Sequence, residues 1–366
     1  MRTRLSIVAL VIAVAGGGSD SAGSPASFAS HQRIVYSDGL HNENTAMIRF
    51  HGRILLAFRG GEGGQIGSAR ARIKIFESRD QGRTFTLLKE VNANNLPGGR
   101  DIRDPKLVKM GGRLFLYAIS RLPGFHYRDL GGQAWTLRAE SIDGGRTWSQ
   151  PVRTYRDVDA TGIETFWGFW RYTKRPYTKA GKHRRTLFAT GYQDFDTAVG
   201  LFASDDGITW EKRSTIIASY NDVPSEAELQ FFGHNHETAV ALVRLDNQDI
   251  LADGQTAICT SHDPFVTWEC SRRIEQRLDG PTWIVRRAHG RVRSFVFVND
   301  PFLTVNEFVI SGVTTSSDGF CGSIAGYAQV FGGQPSDRIR LEGSSFGAVR
   351  IAGDALPTPV TICPRP

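Results

Sequence analysis

Charged residues crowd the segment Arg100-Asp101-Ile102-Arg103-Asp104-Pro105-Lys106-Leu107, which opens an apolar run. Pro105 fixes its own φ and could aim the residues before it inward. Arg103 could then bind an anionic group, and Asp104 could act as an acid or an orienting partner. A loop ion pair is the other use of such neighbours. Pro224-Ser225-Glu226-Ala227-Glu228-Leu229 sets two more carboxylates ahead of an apolar run that ends at Arg244. Asp104 and Glu226, taken as a carboxylate pair, would suit a glycosidase or lyase. Arg59 ends another run at the loop Gly60-Gly61-Glu62-Gly63-Gly64, and strand-end loops are where sites form. His41, Asn42, Glu43 and Asn44 stand before a further run and could face the same centre. In Thr165-Phe166-Trp167-Gly168-Phe169-Trp170, Trp167 could stack on a sugar or pack inside the protein. No His or Cys pair has zinc-ligand spacing and no calcium-ligand cluster stands out, so neither a metal nor another cofactor is expected.

The elements that would position these groups are repeated. Ser78-Arg79-Asp80-Gln81-Gly82-Arg83-Thr84-Phe85 has the form Ser-x-Asp-x-Gly-x-Thr-aromatic, and Ser141 to Trp148 matches it throughout. Ser204 to Trp210 is one residue shorter, Ser261 to Trp268 lacks the glycine, and Ser316 to Phe320 is a decayed copy. The aspartates at 80, 143, 206, 263 and 318 lie 63, 63, 57 and 55 residues apart. Ser and Asp side chains can bond nearby backbone N–H groups and close a compact turn, with glycine supplying a positive φ. Short apolar runs such as Ile54 to Phe58 and Leu114 to Tyr117 precede the turns and read as strands buried on both faces. Each unit is thus about four strands, and such units stacked radially make a propeller blade. Five units are visible. A sixth would pair residues from about Gln32 to Gly39 with the stretch Val330 to Ile351. The expectation is an all-β, six-bladed β-propeller, with a β-sandwich carrying the same turns as the rival.

The chain has 366 residues, of which 40 are glycine, and a net charge of +7. Lys and Arg are scattered, so no stripe or module for nucleic acid is present, and no nucleic-acid partner is expected. Arg2 and Arg4, the apolar run Leu5 to Ala15 and the small residues Ala13-Val14-Ala15 read as an export signal. Residues 1–30 would form that signal and a Gly/Ser-rich leader. Residues 31–366 would form one domain, secreted or periplasmic, monomeric and free of the membrane once cleaved. Four cysteines in an oxidising compartment suggest two disulfides, with Cys259–Cys270 and Cys321–Cys363 preferred among three pairings.

The repeated turns resemble the Asp boxes, or BNR repeats, of the sialidase (neuraminidase) superfamily, from roughly Arg33 to the C-terminus. The resemblance implies a sialidase-type propeller with structural Asp boxes lying away from the active site. It also implies a secreted glycoside hydrolase acting on glycans, in which a Tyr nucleophile is activated by a Glu. Three arginines would hold the substrate carboxylate and a loop Asp would be the acid/base. Glu226, with Glu228 as alternate, resembles the activating Glu, and Arg244 resembles one carboxylate-binding arginine. Tyr327 in Gly326-Tyr327-Ala328 resembles the nucleophile. The loop expected to carry the acid reads Gln65 to Arg72 and contains none. The Arg-Ile-Pro entry to the first blade is absent, and no third arginine precedes the fifth turn. A non-catalytic carbohydrate- or protein-binding propeller is the reading from another class.

Overall fold

The computed structural model describes residues 32–342, apart from 37, 39–40, 62–67, 81, 124–132, 180–181, 194–196, 233–234, 247–254, 275–278, 289–290, 300–308, 311–312, 316–320 and 329–338. The expected leader, the fifth turn copy and Cys363 lie outside these residues.

All regular structure among the described residues is β. β1 (Gln32–Tyr36) comes first. A four-stranded antiparallel sheet follows, made of β2 (His41–Phe50), β3 (Arg53–Gly61), β4 (Arg72–Ser78) and β5 (Thr86–Val91) in that order. The second sheet is β6 (Arg103–Met110), β7 (Arg113–Ser120), β8 (Trp135–Ser141) and the short β9 (Val152–Arg153). A small pair, β10 (Asp157–Val158) with β11 (Glu164–Thr165), leads to the third sheet. That sheet is β12 (Trp167–Lys179), β13 (Lys182–Gln193), β14 (Ala198–Ser204) and β15 (Glu211–Ala218). The fourth is β16 (Pro224–Phe232), β17 (Thr238–Leu245), β18 (Gln255–His262) and β19 (Glu269–Ile274). β20 (Asp279–Ala288) pairs with β21 (Arg291–Asn299). Then come β22 (Val309–Ile310), β23 (Val313–Thr315), β24 (Cys321–Ala328) and β25 (Ile339–Glu342).

The expected joining of the two ends is present. β1 runs antiparallel to β25, with Gln32 opposite Glu342 and Arg33 opposite Leu341, and β25 in turn pairs with β24. The edge of the N-terminal strand is thereby covered.

The burial patterns explain the order within each sheet. Every residue of β3 after Arg53, of β7 after Arg113 and of β14 is buried, so these middle strands are covered on both faces. β5 and β15 are largely exposed and carry Lys and Glu, which suits an outer edge that must not pair further. The core lies between sheets as successive layers. Ile48, Leu55 and Ile73 of the first sheet pack on Leu107, Leu116 and Leu137 of the second. Phe115 and Tyr117 meet Phe169, Phe202 and Trp210 of the third. Phe188 and Leu201 meet Leu229, Ala241 and Ala257 of the fourth. The first strands also follow one another: β2 packs on β6, β6 on β12, β12 on β16 and β16 on β20. β20 approaches β23, and β24 lies beside β2.

The repeated turns behave as their residue types dictate. Ser78 Oγ donates to Asp80 (2.8 Å) and accepts from Gly82 N (2.7 Å), while Thr84 N and Oγ1 donate to the Asp80 carboxylate (2.8 and 2.6 Å). Ser141, Asp143, Gly145 and Thr147 repeat the set. Gly82, Gly145 and Gly207 all take positive φ, between 75° and 90°. Hydrogen bonds from Thr84 and Thr147 hold the Asp80 and Asp143 carboxyls well below the usual carboxylate range. The preceding sheet grips each turn: Arg53 donates to Gly144 O (2.7 Å) and Tyr117 Oη to Gly207 O (2.5 Å). In the copy that lost its glycine, Asp263 instead pairs with Arg175 of the preceding sheet at 2.9 Å. The turns therefore couple neighbouring sheets as well as closing hairpins.

Cys259 and Cys270 are disulfide-bonded across the paired strands β18 and β19. Their sequence separation is 11. For so short a loop, replacing both by alanine is expected to cost about 2–3 kcal/mol. Urea unfolding measures it, and an unchanged midpoint would contradict it.

Candidate active site

The first strand of each sheet is interrupted near its start. The pairing of first with second strand shifts register between Glu43 and Thr45 in β2, Arg103 and Lys106 in β6, and Phe169 and Arg171 in β12. It shifts again between Pro224 and Ala227 in β16, and between Asp279 and Thr282 in β20. Such bulges bend a strand and re-aim its side chains, and they gather near active sites. Pro105 and Pro224 lie at two of them, where a missing N–H costs no ladder bond. Asp104 has φ 52° in the second. First and third strands run in the same direction, and the repeated turns follow the third. The bulges and the turns therefore lie at opposite ends of the sheets.

Charged side chains collect at the bulged ends. Arg103 Nε donates to Asp104 Oδ2 (2.9 Å). Arg171, on β12, pairs with Glu228 of β16 at 2.6 Å. Gln230 Nε2 donates to the other Glu228 oxygen (2.8 Å). Arg244, near the end of β17, holds Glu226 at 3.1 Å and Asp246 at 2.7 Å. Lys106 stands among these pairs, close enough for Asp104, Glu226, Glu228 and Arg171 all to act on its charge. Its ammonium is 4.6 Å from the centre of the Trp170 ring. Loss of hydration pulls its pKa down to about 8, against an opposing pull from Asp104. Three consecutive first strands thus contribute acids and cations to one region.

Exposure divides the expected residues. The side chains of Glu226, Arg244 and Arg103 keep 19%, 17% and 16% of their surface, so a ligand can reach them. Glu228 is fully buried and Asp104 nearly so, which suits groups that orient arginines. Of the two glutamates, Glu226 is the one open to solvent.

Two expectations move. Arg59 is fully buried, and its Nε and Nη2 donate to the equally buried Asp101 at 3.2–3.3 Å. A guanidinium out of water needs such a partner, and this one ties β3 to the segment entering β6. Arg59 is therefore a buried link between sheets rather than a side chain open at the strand end, where the sequence had placed it. Trp167 is also buried, its Nε1 donating to Asp157 (2.8 Å) and its ring packed edge-on against Phe202. It is a packing residue, and the half-buried Trp170 takes its place at the site. Asn42 is buried and donates to Asp38 (2.7 Å). The side chains of His41, Glu43 and Tyr327 lie outside the described residues, as does Glu62. Tyr327 falls on β24, opposite Ile310, in the strand beside β2.

The sequence motifs do not single out Lys106, Arg171 or Asp101. A usable signal existed for two of them: Lys106 follows a strand-entry proline, and Arg171 is a cation inside the aromatic run Phe169-Trp170-Arg171-Tyr172. Among the described residues no group of His, Cys, Asp and Glu could hold a metal ion. A cleft of about 790 Å³ lies at the turn end of the sheets, lined by Phe50, His51, Lys109, Lys174 and Asp205 among others. It holds none of the pairs just described.

No protein-family model matches this sequence, and no curated protein matches it. Solved structures do. The Hadza microbial sialidase Hz136 aligns at TM-score 0.55 and 15% identity, over 83% of this chain and 66% of that one. Trypanosoma rangeli sialidase in complex with the inhibitor DANA aligns at 0.55 and 12%, over 84% and 55%. The intramolecular trans-sialidase from Ruminococcus gnavus aligns at 0.58 and 11%, over 84% and 95%. This chain thus spans two thirds or less of the first two proteins and nearly all of the third. At such identities the likeness concerns the fold: this chain folds as a sialidase-type β-propeller.

Proposed function

We propose that this protein is an exported, six-bladed, sialidase-like glycoside hydrolase that removes terminal acidic sugars from glycans. The observation that carries the reading is the meeting of Glu226, Arg244, Arg103 and Lys106 at the bulged ends of the first strands. Glu226 would activate Tyr327 as nucleophile, because a carboxylate nucleophile would be repelled by the sugar's own carboxylate. Arg244 and Arg103 would face the anionic sugar, and Asp104 would orient Arg103. The Cys259–Cys270 disulfide and the leading apolar segment agree with export. Purified protein is expected to release the fluorophore from a sialoside, and Tyr327→Phe to abolish the release. Absence of release from the native protein, or full release by Tyr327→Phe, would refute this mechanism.

One observation favours a second reading, a glycan-binding propeller without turnover. The residues from Ser68 to Arg72, where the resemblance expects an acid, contain none. Binding on a glycan array with no cleavage of any bound glycan would establish that reading.

A further inference from the structure

The charges at the bulged ends do not all find partners. Asp104, Glu226 and Glu228 each hold a guanidinium: Arg103, Arg244 and Arg171 respectively. Lys106 stands among these three carboxylates and forms an ion pair with none of them. Its close partner among the described residues is the face of Trp170. An ammonium in this position has given up water and has three donor hydrogens to place. A π-face offers attraction and no hydrogen-bond acceptor in the plane of the donors. The flexible stem of lysine lets the head group meet an incoming anion from several directions.

We propose that Lys106 is the anchor for the carboxylate of an acidic sugar bound at this site, because the three neighbouring guanidinium groups are each engaged by a carboxylate and its ammonium is not. The proposal rests on reading the site as a sugar site and adds the group that selects the ligand. It separates sugars by one feature, a ring carboxylate, and leaves neutral sugars unfavoured. Because only the ammonium binds, and its pKa lies at about 8 in the free protein, affinity for the acid must fall as pH rises beyond that value. Occupation by an anion must in turn raise the pKa.

Calorimetry on the full chain tests this with N-acetylneuraminic acid and glucuronic acid, each against its methyl ester. At least one acid is expected to bind about tenfold or more tighter than its ester at pH 7, and to lose about tenfold per pH unit above 8. Lys106→Met is expected to abolish the preference for the acid, so that acid and ester bind alike, and Lys106→Arg to retain part of it. Lys106→Met also removes a desolvated charge. It should melt above the native protein at pH 7, with the gap narrowing from about pH 8 through 10.5, the range in which the folded lysine has lost its proton and the unfolded one is still losing it. Equal affinity for acid and ester in the native protein, binding of neither, or an undiminished preference in Lys106→Met would overturn the proposal. Turnover of a fluorogenic sialoside is scored separately. Acid binding that follows Lys106 without turnover keeps the anchor and removes the hydrolase.

Discussion

Replacing Asp101 by alanine is expected to destabilise the protein by about 3–5 kcal/mol, among the largest losses available to a single side chain here. Arg59 and Asp101 have no exposed side-chain surface, and the aspartate meets both Nε and Nη2 of the guanidinium. Without Asp101 the buried guanidinium loses the carboxylate that meets its Nε and Nη2. The surroundings of the pair are equally committed. Asp101 N donates to Arg121 O (2.9 Å), and Ser120 Oγ donates to Asp101 O (2.7 Å). Arg100 donates Nε to Ser120 Oγ (3.0 Å) and stacks on Trp135 at 3.8 Å. The segment that delivers Arg103, Asp104 and Lys106 is therefore bolted at its root to β3 and to the end of β7. Urea unfolding of the native and Asp101→Ala proteins measures the loss. Arg59→Met combined with Asp101→Leu is expected to recover much of it, because removing both charges leaves none stranded. A loss below about 1 kcal/mol in Asp101→Ala would contradict the assignment.

The second large effect concerns turnover. Glu226→Gln is expected to lower kcat about 10²- to 10⁴-fold, the usual worth of a positioned proton-transfer group. The amide keeps the shape and can still meet Arg244, so the fold should be spared. Glu228→Gln should act differently. Glu228 is fully buried and pairs with Arg171, so its neutralisation removes a buried negative charge from beside that arginine and Lys106. A lowered melting temperature is expected from that variant. Steady-state kinetics with a fluorogenic sialoside, read beside thermal melts, separates the two glutamates. Turnover in Glu226→Gln within a few-fold of native would remove Glu226 from the chemistry.

The repeats were the most legible feature of the sequence, because a turn closed by Ser, Asp, Gly and Thr uses only local bonds. The same locality made the Cys259–Cys270 pairing and the buried middle strands readable. The joining of β1 to β25 followed from the need to cover an edge. The site was harder, because it depends on register. A strand written as alternating residues does not show where its partner slips by one, and the pairs of Arg103, Arg171 and Glu226 lie beside such slips. The prolines at 105, 224 and 281 mark three strand entries and are the part of this pattern that sequence carries. Arg59 misled because a strand-end arginine beside glycines reads as exposed. Its partner, Asp101, comes from another sheet, 42 residues away. Trp167 and Trp170 share one aromatic run but stand three residues apart, so alternation puts them on opposite faces, one in the core and the other, at the bulge between Phe169 and Arg171, beside Lys106.

The proposed function requires ligand binding at the bulged entry ends of the first strands, opposite the repeated turns. A crystal structure with an unsaturated sialic acid analogue tests this most directly. The sugar is expected between β6, β12 and β16, with its carboxylate on Lys106 and its ring near Glu226. A sugar seated instead in the turn-end cleft against His51 and Lys174 would contradict the claim.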